Sequence, residues 1–515
     1  MTKMLQLTAM GLLVSGVTLS LPLLADTLAP PPTVVVSPSE TLPYNSIDNT
    51  DSSVSSNLRF TLQHRFNGGN PLPKETIVIP FEKITMRPPV VLEKIIQNFS
   101  KHLEKQTKPV RISTEVDFWL PTEVTKVLGK LPTLFMITNI DSNGVGKSDL
   151  QIPPEKRQIK DGKTIIDWKG LNGKFTFTDH FKSMGTQLNF AGLTINTEDF
   201  SLIWGNTTFS GALNAFFTFT ELDLNLPTLT AADNDNRLNL RGFALKFNTE
   251  TTEKGLGLGN AIFRIGHFDF SDKKLKSSLD NLLVTGNGKE QNGIVNYVVQ
   301  SKIRKLVLPY VISNVLSEIS YEGNLAFRRL DAEALLALQK TTRELSNDNP
   351  MAAMILLGKF MEVAPKLVAK SPELAITRLD MKTPNGENLQ GSAHINFDGN
   401  KMIAMNLMSL ISALQAQANF TVSKNFLEQA MTSIVYNTML SEMENKKADL
   451  ARLQERADLF SKQQISKLVD NNWLAKADDN NYKLIADFRN SRLTVNGQEK
   501  PVPYLSPKTT DKVVR

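Results

Sequence analysis

The amino-acid sequence predicts an α+β protein. Its centre is a large, mostly antiparallel twisted β-sheet in meander order, with a few covering helices and a helical C-terminal region closed by a hairpin. Three observations carry that prediction. Apolar and polar residues alternate in many short runs, as in Lys174-Phe175-Thr176-Phe177-Thr178, Gln187-Leu188-Asn189-Phe190 and Glu221-Leu222-Asp223-Leu224-Asn225-Leu226. Alternation of period two gives each strand one apolar and one polar face. Asn-Gly pairs, the strongest short hairpin signal, recur at Asn143-Gly144, Asn172-Gly173, Asn287-Gly288, Asn385-Gly386 and Asn496-Gly497. Helical spacing is confined to a few segments.

Taken in order, residues 1–25 hold Lys3 and then an apolar run to Ala25, which reads as a signal peptide or an N-terminal membrane anchor. Residues 26–57 form a Pro/Ser/Thr-rich linker. Its Pro30-Pro31-Pro32 and Ser37-Pro38-Ser39 come with too few apolar neighbours to offset the entropy of ordering, so it is expected to be disordered. Residues 58–292 read as a mainly β region. One helix interrupts it, from Pro89 to Glu104, with proline in the first turn and Leu92, Ile95, Ile96 and Phe99 on one face.

Residues 293–501 read as an α+β region. A helix is expected from Asp331 to Arg343. Another should run from Pro350 to Val363, capped by Asp348-Asn349 and ended by Pro365. The longest helical pattern runs from Ser423 to Asp470, with a break at Asn445 to Asp449, where no large apolar residue stands. Leu493-Thr494-Val495 before Asn496-Gly497 closes the region as a hairpin, and residues 502–515 are expected to be a flexible tail.

Composition excludes several chemistries. The chain of 515 residues has no cysteine, so disulfides, thiolate nucleophiles, cysteine-ligated zinc and a lipoprotein anchor are all ruled out. A net charge of +6 without a basic stripe does not describe a nucleic-acid binder. The N-terminal pattern places the body outside the cytoplasm, periplasmic or tethered to the inner membrane and facing the periplasm. A retained segment would itself contact the membrane.

The motifs point away from catalysis. Asn143-Gly144-Val145-Gly146-Lys147-Ser148 ends like a phosphate loop, but Asp141 stands where the first glycine is needed and Pro153-Pro154 blocks the helix that must follow. A hairpin loop is expected there. Gly255-Leu256-Gly257-Leu258-Gly259 lacks dinucleotide spacing and reads as a glycine-softened strand or bend. Ser271-Asp272-Lys273-Lys274 has an acylating spacing but lies in a polar turn. His64, His102, His180, His267 and His394 show no ligand spacing, so each reads as a structural or surface histidine. No catalytic, metal or cofactor site is expected.

The strongest outside likeness lies late in the chain. Phe327 to Leu338 reads F-R-R-L-D-A-E-A-L-L-A-L. Ser371-Pro372-Glu373-Leu374 leads to Thr383-Pro384-Asn385-Gly386, and Leu493-Thr494-Val495-Asn496-Gly497 closes the region. In that order, over roughly Gly293 to Pro501, the chain resembles the YdgA-like family of Gram-negative envelope proteins, a family of unknown function. His64 to Pro73 looks like that family's early His-Gly-Pro stretch with the His-Gly lost. The resemblance implies an envelope protein anchored by its N-terminus.

Two functions compete, and surface adhesion is a third class with which the Thr/Asn-rich sheet is compatible without pointing to it. The first is a non-enzymatic envelope protein that binds lipid, an envelope protein or a second copy of itself through an amphipathic sheet. The Met-rich helices would act as lids, with Met354, Phe360, Met431 and Met439 lining an apolar groove, because methionine tolerates varied neighbours. The alternative is a periplasmic hydrolase of envelope polymers, using carboxylates such as Asp331 and Glu333, or Asp179 with His180.

Overall fold

Two compact units organise the chain in the computed structural model, one running up to Asn248, the other from Thr249 to Thr341 and from Asp348 onward. The structure describes residues 57–80, 90–104, 106–119, 132–159, 162–178, 181–215, 219–252, 255–273, 276–307, 316–344, 351–401, 407–441 and 450–501. The N-terminal apolar run, almost all of the linker, the Asp179-His180 pair and the C-terminal tail lie outside them. Every strand pairing described is antiparallel, and the sheet is open, not closed into a barrel. Among the described residues no helix is long and apolar enough to cross a membrane.

The first unit begins with β1 (Asn57–Phe66), β2 (Glu75–Pro80), helix α1 (Val90–Leu103), β3 (Val110–Trp119), β4 (Leu134–Ile140) and β5 (Gly146–Ile152). It continues through β6 (Glu155–Gln158), β7 (Ile165–Trp168), β8 (Leu171–Phe177), β9 (Ser183–Phe190) and β10 (Leu193–Asn196). β11 (Phe200–Trp204), β12 (Thr207–Asn214), β13 (Phe219–Asp233) and β14 (Arg237–Thr251) complete it. The spatial order is β2-β1-β3-β4-β5-β8-β9-β12-β13-β14, with β6-β7-β10-β11-β13 as a second ladder. Successive long hairpins thus fold over a shared crease.

Proline and glycine mark that crease. Pro153 and Pro154 have no N–H to offer the ladder, so pairing stops after Ile152 and resumes at Glu155. Beside them Gly170 adopts φ +99°, and one strand further Gly192 adopts φ +128°. Backbone bonds stitch the line: Lys169 N to Gly192 O at 2.9 Å, Ala191 N to Gly170 O at 2.9 Å, and Gly205 N to Thr228 O at 2.8 Å. A Cβ on Gly192 would lie 2.9 Å from Trp204 O, so only glycine fits.

Alternation buries one face of the β3 and β4 strands: Val110, Ile112, Thr114 and Val116 on β3, and Met136, Thr138 and Ile140 on β4. α1 covers part of this face, packing Ile96 and Phe99 against Ile112, Ile140, Phe175, Phe177 and Leu213.

The second unit is a sequential meander of β15 (Gly257–Ser271), β16 (Lys276–Gln291), β17 (Ile294–Val307), β18 (Glu318–Asp331), β19 (Glu373–Lys382), β20 (Asn388–Phe397) and β21 (Leu414–Ser423). β22 (Ala475–Lys476) and β21 both pair with β23 (Asn481–Arg489), and β24 (Arg492–Val495) with β25 (Gln498–Lys500) ends it. Between strands lie α2 (Ala332–Glu344), α3 (Ala352–Ala369), α4 (Leu407–Ala413), α5 (Lys424–Ser441) and α6 (Leu450–Asp470).

Three expectations are corrected. Asn172-Gly173 and Asn287-Gly288 lie inside β8 and β16 and make no turn. Their glycines leave room for a neighbouring side chain: a Cβ on Gly173 would collide with Leu188, and one on Gly288 would come 2.7 Å from the Tyr297 ring. The helix expected to stop at Pro365 runs through it to Ala369. A proline inside a helix loses one backbone bond. Here Val363 and Leu367, packed against Leu256, Leu258, Val295 and Leu335, hold the turns on both sides.

Candidate functional site

The four groove candidates fall in different surroundings. Met354 is 64% exposed and Phe360 46% exposed, both on α3. Met431, on α5, packs against the core of Leu316, Val422, Phe426 and Ile465. Met439 is half-buried near the end of α5. The structure therefore places Met354 and Phe360 on the surface and Met431 against the core, with Met439 between the two.

The first half of α3 carries more than the two expected residues. Met351, Ile355, Leu357 (62% exposed) and Met361 are exposed beside them. Its one basic group, Lys359, is bonded to Glu362 at 2.7 Å. A helix apolar on all sides is normally buried in a core or a membrane. Here the second half buries one face through Val363, Ala364, Leu367 and Val368, and the apolar half before it is open.

A polar chain, absent from the sequence reading, runs in the first unit from a buried end at Thr114, His64 and Asn98 to a partly exposed end at His102 and Glu75. Four elements build it: His64 on β1, Glu75 on β2, Asn98 and His102 one turn apart on α1, and Thr114 on β3. Thr114 Oγ1 lies 2.8 Å from His64 Nδ1, and His64 Nε2 lies 2.9 Å from Asn98 Oδ1. Asn98 Nδ2 donates to one oxygen of Glu75, and His102 Nε2 lies 2.6 Å from the other. Burial pushes the His64 imidazole below its ordinary value and His102 adds to the push, against the opposing pull of Asn98 and Glu75. For Glu75 burial acts upward, but the bonds from His102 and Asn98 outweigh it and hold the carboxyl below its ordinary value. Thr114 and His64 are 1% and 2% exposed, so no substrate reaches this hydroxyl and imidazole in the closed fold.

A polar trough crosses the same unit on the face opposite the core. One register row runs Gln151, Asn172, Asn189, Thr208 and Asn225. The next runs Asp149, Lys174, Gln187, Ser210, Asp223 and Lys246. Phe135 and Ile137 flank them on β4. Together they line a cavity of about 860 Å³, continued by a second of about 520 Å³ that shares Lys174, Gln187, Ser210 and Asp223.

The remaining candidates are structural where described. The Gly-Lys-Ser stretch is the β4–β5 hairpin, its loop held by Asp141 accepting from the N–H groups of Asn143 and Val145 at 2.9 and 3.0 Å. Asp331 Oδ1 accepts from Ala334 N at 2.9 Å and caps α2, while Glu333 pairs with Lys366 at 3.4 Å. His267 is clamped between Asp280 at 2.5 Å and Asp269 at 3.0 Å. His394 sits on β20, opposite Ala375 and Gln417. Among the described residues no group of three or more histidines and acids is placed to hold a metal ion.

Fold and site together define an open antiparallel-sheet α+β protein with a polar trough on one face and an exposed apolar helix end. Within that class the chain belongs to a family of bacterial proteins of unknown function (DUF945), which matches residues 106–503. The match extends well upstream of Gly293 and leaves the His64 to Pro73 stretch outside it. No curated protein and no solved structure matches the chain.

Proposed function

We propose that the chain is an exported, non-catalytic binding protein of the cell envelope, of the YdgA-like kind, whose first half of α3 contacts the acyl chains of lipid. Six exposed apolar side chains between Met351 and Met361 carry this reading. Contiguous apolar surface of that kind marks an interaction site. Lipid suits it because the helix end lacks the polar pattern a specific protein interface would read. The N-terminal segment, Lys3 followed by its apolar run, supplies export and, if retained, a tether to the inner membrane. The sheet's own apolar face serves less well, since α1, α2 and α3 pack against parts of it.

The hydrolase alternative finds less support. Asp331 and Glu333 are engaged in capping and pairing, and the Asp179-His180 pair lies outside the described residues.

Native mass spectrometry of the purified chain tests the proposal. Wild type should carry lipid, and the double variant Met354→Asp/Leu357→Asp should lose it with an unchanged melting temperature, because both side chains are exposed. Lipid retained by the variant, or none on wild type, would count against the reading.

A further inference from the structure

We propose that the trough of the first unit binds a neutral sugar chain. The first observation is the set of side chains it presents. Among the described residues, the amides of Gln151, Asn172, Asn189, Gln187 and Asn225 have no hydrogen-bond partner in the protein. Each amide offers two donors and an acceptor with two lone pairs. The register places four of these amides in adjacent rows on β8, β9 and β5, held by a preformed sheet. The first row runs from Phe135 on β4 to Ala244 on β14, six strand-to-strand steps at about 4.8 Å each, or roughly 29 Å, enough for a chain and not only a single ring.

Chemistry then selects the ligand. Across both cavities three carboxylates (Asp149, Glu221 and Asp223) face two ammonium groups (Lys174 and Lys246). A polyanion would meet no net positive charge there. An acyl chain would cover the amides and leave them unbonded, which is unfavourable. A peptide strand adds to a sheet edge and not to a face. A neutral sugar offers hydroxyl groups that both donate and accept, and an apolar C–H face. The Phe135 ring, 43% exposed, supplies the flat apolar surface to meet that face.

The second unit shows what an ordinary solvent face looks like in this protein. There Arg378 pairs with Glu322 at 3.1 Å and Lys305 with Glu318 at 2.6 Å, so long charged side chains close on one another. The trough has one such pair, Lys246 with Asp223 at 3.3 Å at its β13–β14 end, and elsewhere keeps short amides open. This proposal does not depend on α3.

An array of neutral and N-acetylated hexasaccharides, with anionic glycans beside them, tests it on the full chain. Wild type should retain at least one neutral chain, and Asn172→Ala/Asn189→Ala should weaken that binding at least tenfold by titration calorimetry at an unchanged melting temperature. Gln187→Ala on the same face should show a smaller loss, and it decides the matter should the double variant fold poorly. Retention of anionic glycans alone, retention of nothing, or neutral binding untouched by Gln187→Ala would each overturn the proposal.

Discussion

Asn98 Oδ1 stands 2.9 Å from His64 Nε2, and this contact fixes the direction of every hydrogen bond from Thr114 to Glu75. The Glu75 carboxylate only accepts, so the Asn98 amide nitrogen must face it and Oδ1 must accept from His64. His64 therefore carries its proton on Nε2, and Nδ1 accepts from the Thr114 hydroxyl. The chain ties α1 to three strands with each buried polar group satisfied.

Removing Asn98 breaks the chain in the middle. Asn98→Ala leaves the buried His64 Nε2 without that partner, and a buried unsatisfied group costs about 1–3 kcal/mol. Chemical denaturation should show that loss, whereas Lys462→Ala, at an exposed pair on α6, should change stability by no more than about 0.5 kcal/mol.

The same chain sets a pH dependence. His64 is held below its ordinary 6.5 in the fold, so the unfolded chain binds the extra proton first as pH falls. The stability tied to neutral His64 is complete above pH 6.5 and is lost as pH drops through the lower folded value. Glu75, held below 4.5, adds a second loss of the same sign at more acid pH. Denaturation midpoints should fall on acidification below pH 6.5, and His64→Gln should flatten the first part of that fall.

Gly192 at the crease and Gly162 in the β6–β7 turn should separate by local geometry. Gly192→Ala meets both φ +128° and a carbonyl 2.9 Å from the new Cβ, whereas Gly162, at φ +71°, has open space around it. Strain of the first kind costs on the order of 3 kcal/mol and of the second about 1 kcal/mol. Melting curves of the two variants should rank in that order. At the closing turn Asn496 (φ +48°) and Gly497 (φ +80°) both adopt the left-handed region, so Gly497→Val should cost about 1 kcal/mol or more.

Much of the fold was legible in residue patterns, because period-two alternation follows directly from which strand face is buried. The runs at Lys174 and Gln187 are β8 and β9, and the helical pattern from Ser423 to Asp470 holds two helices, α5 and α6, while the expected break at Asn445 to Asp449 lies outside the described residues. What escaped depends on contacts between distant positions. Gly173 looks like a turn residue until Leu188 is seen beside it. The His64 chain draws on residues 64, 75, 98, 102 and 114, and only the Asn98 and His102 spacing on one helix hinted at a shared face. The trough amides read as ordinary solvent-face residues until the register set them in rows. Helical spacing grouped Met354 with Met431, yet periodicity cannot say which stretch of a helix finds a covering element.

That division gives a direct contrast at two methionines. Met431→Asp puts a carboxylate against the Phe426 and Ile465 core and should lower the melting temperature sharply. Met354→Asp should leave it nearly unchanged.

The most direct measurement of lipid contact uses the absence of cysteine from the chain. Leu357→Cys gives a single labelling point on the exposed half of α3, and Lys462→Cys gives one on the exposed face of α6. With an environment-sensitive fluorophore attached, adding phospholipid vesicles should shift the emission of the Leu357→Cys protein to the blue and leave that of the Lys462→Cys protein unchanged. Emission at position 357 that stays at its aqueous wavelength while the protein floats with vesicles would contradict lipid contact through α3.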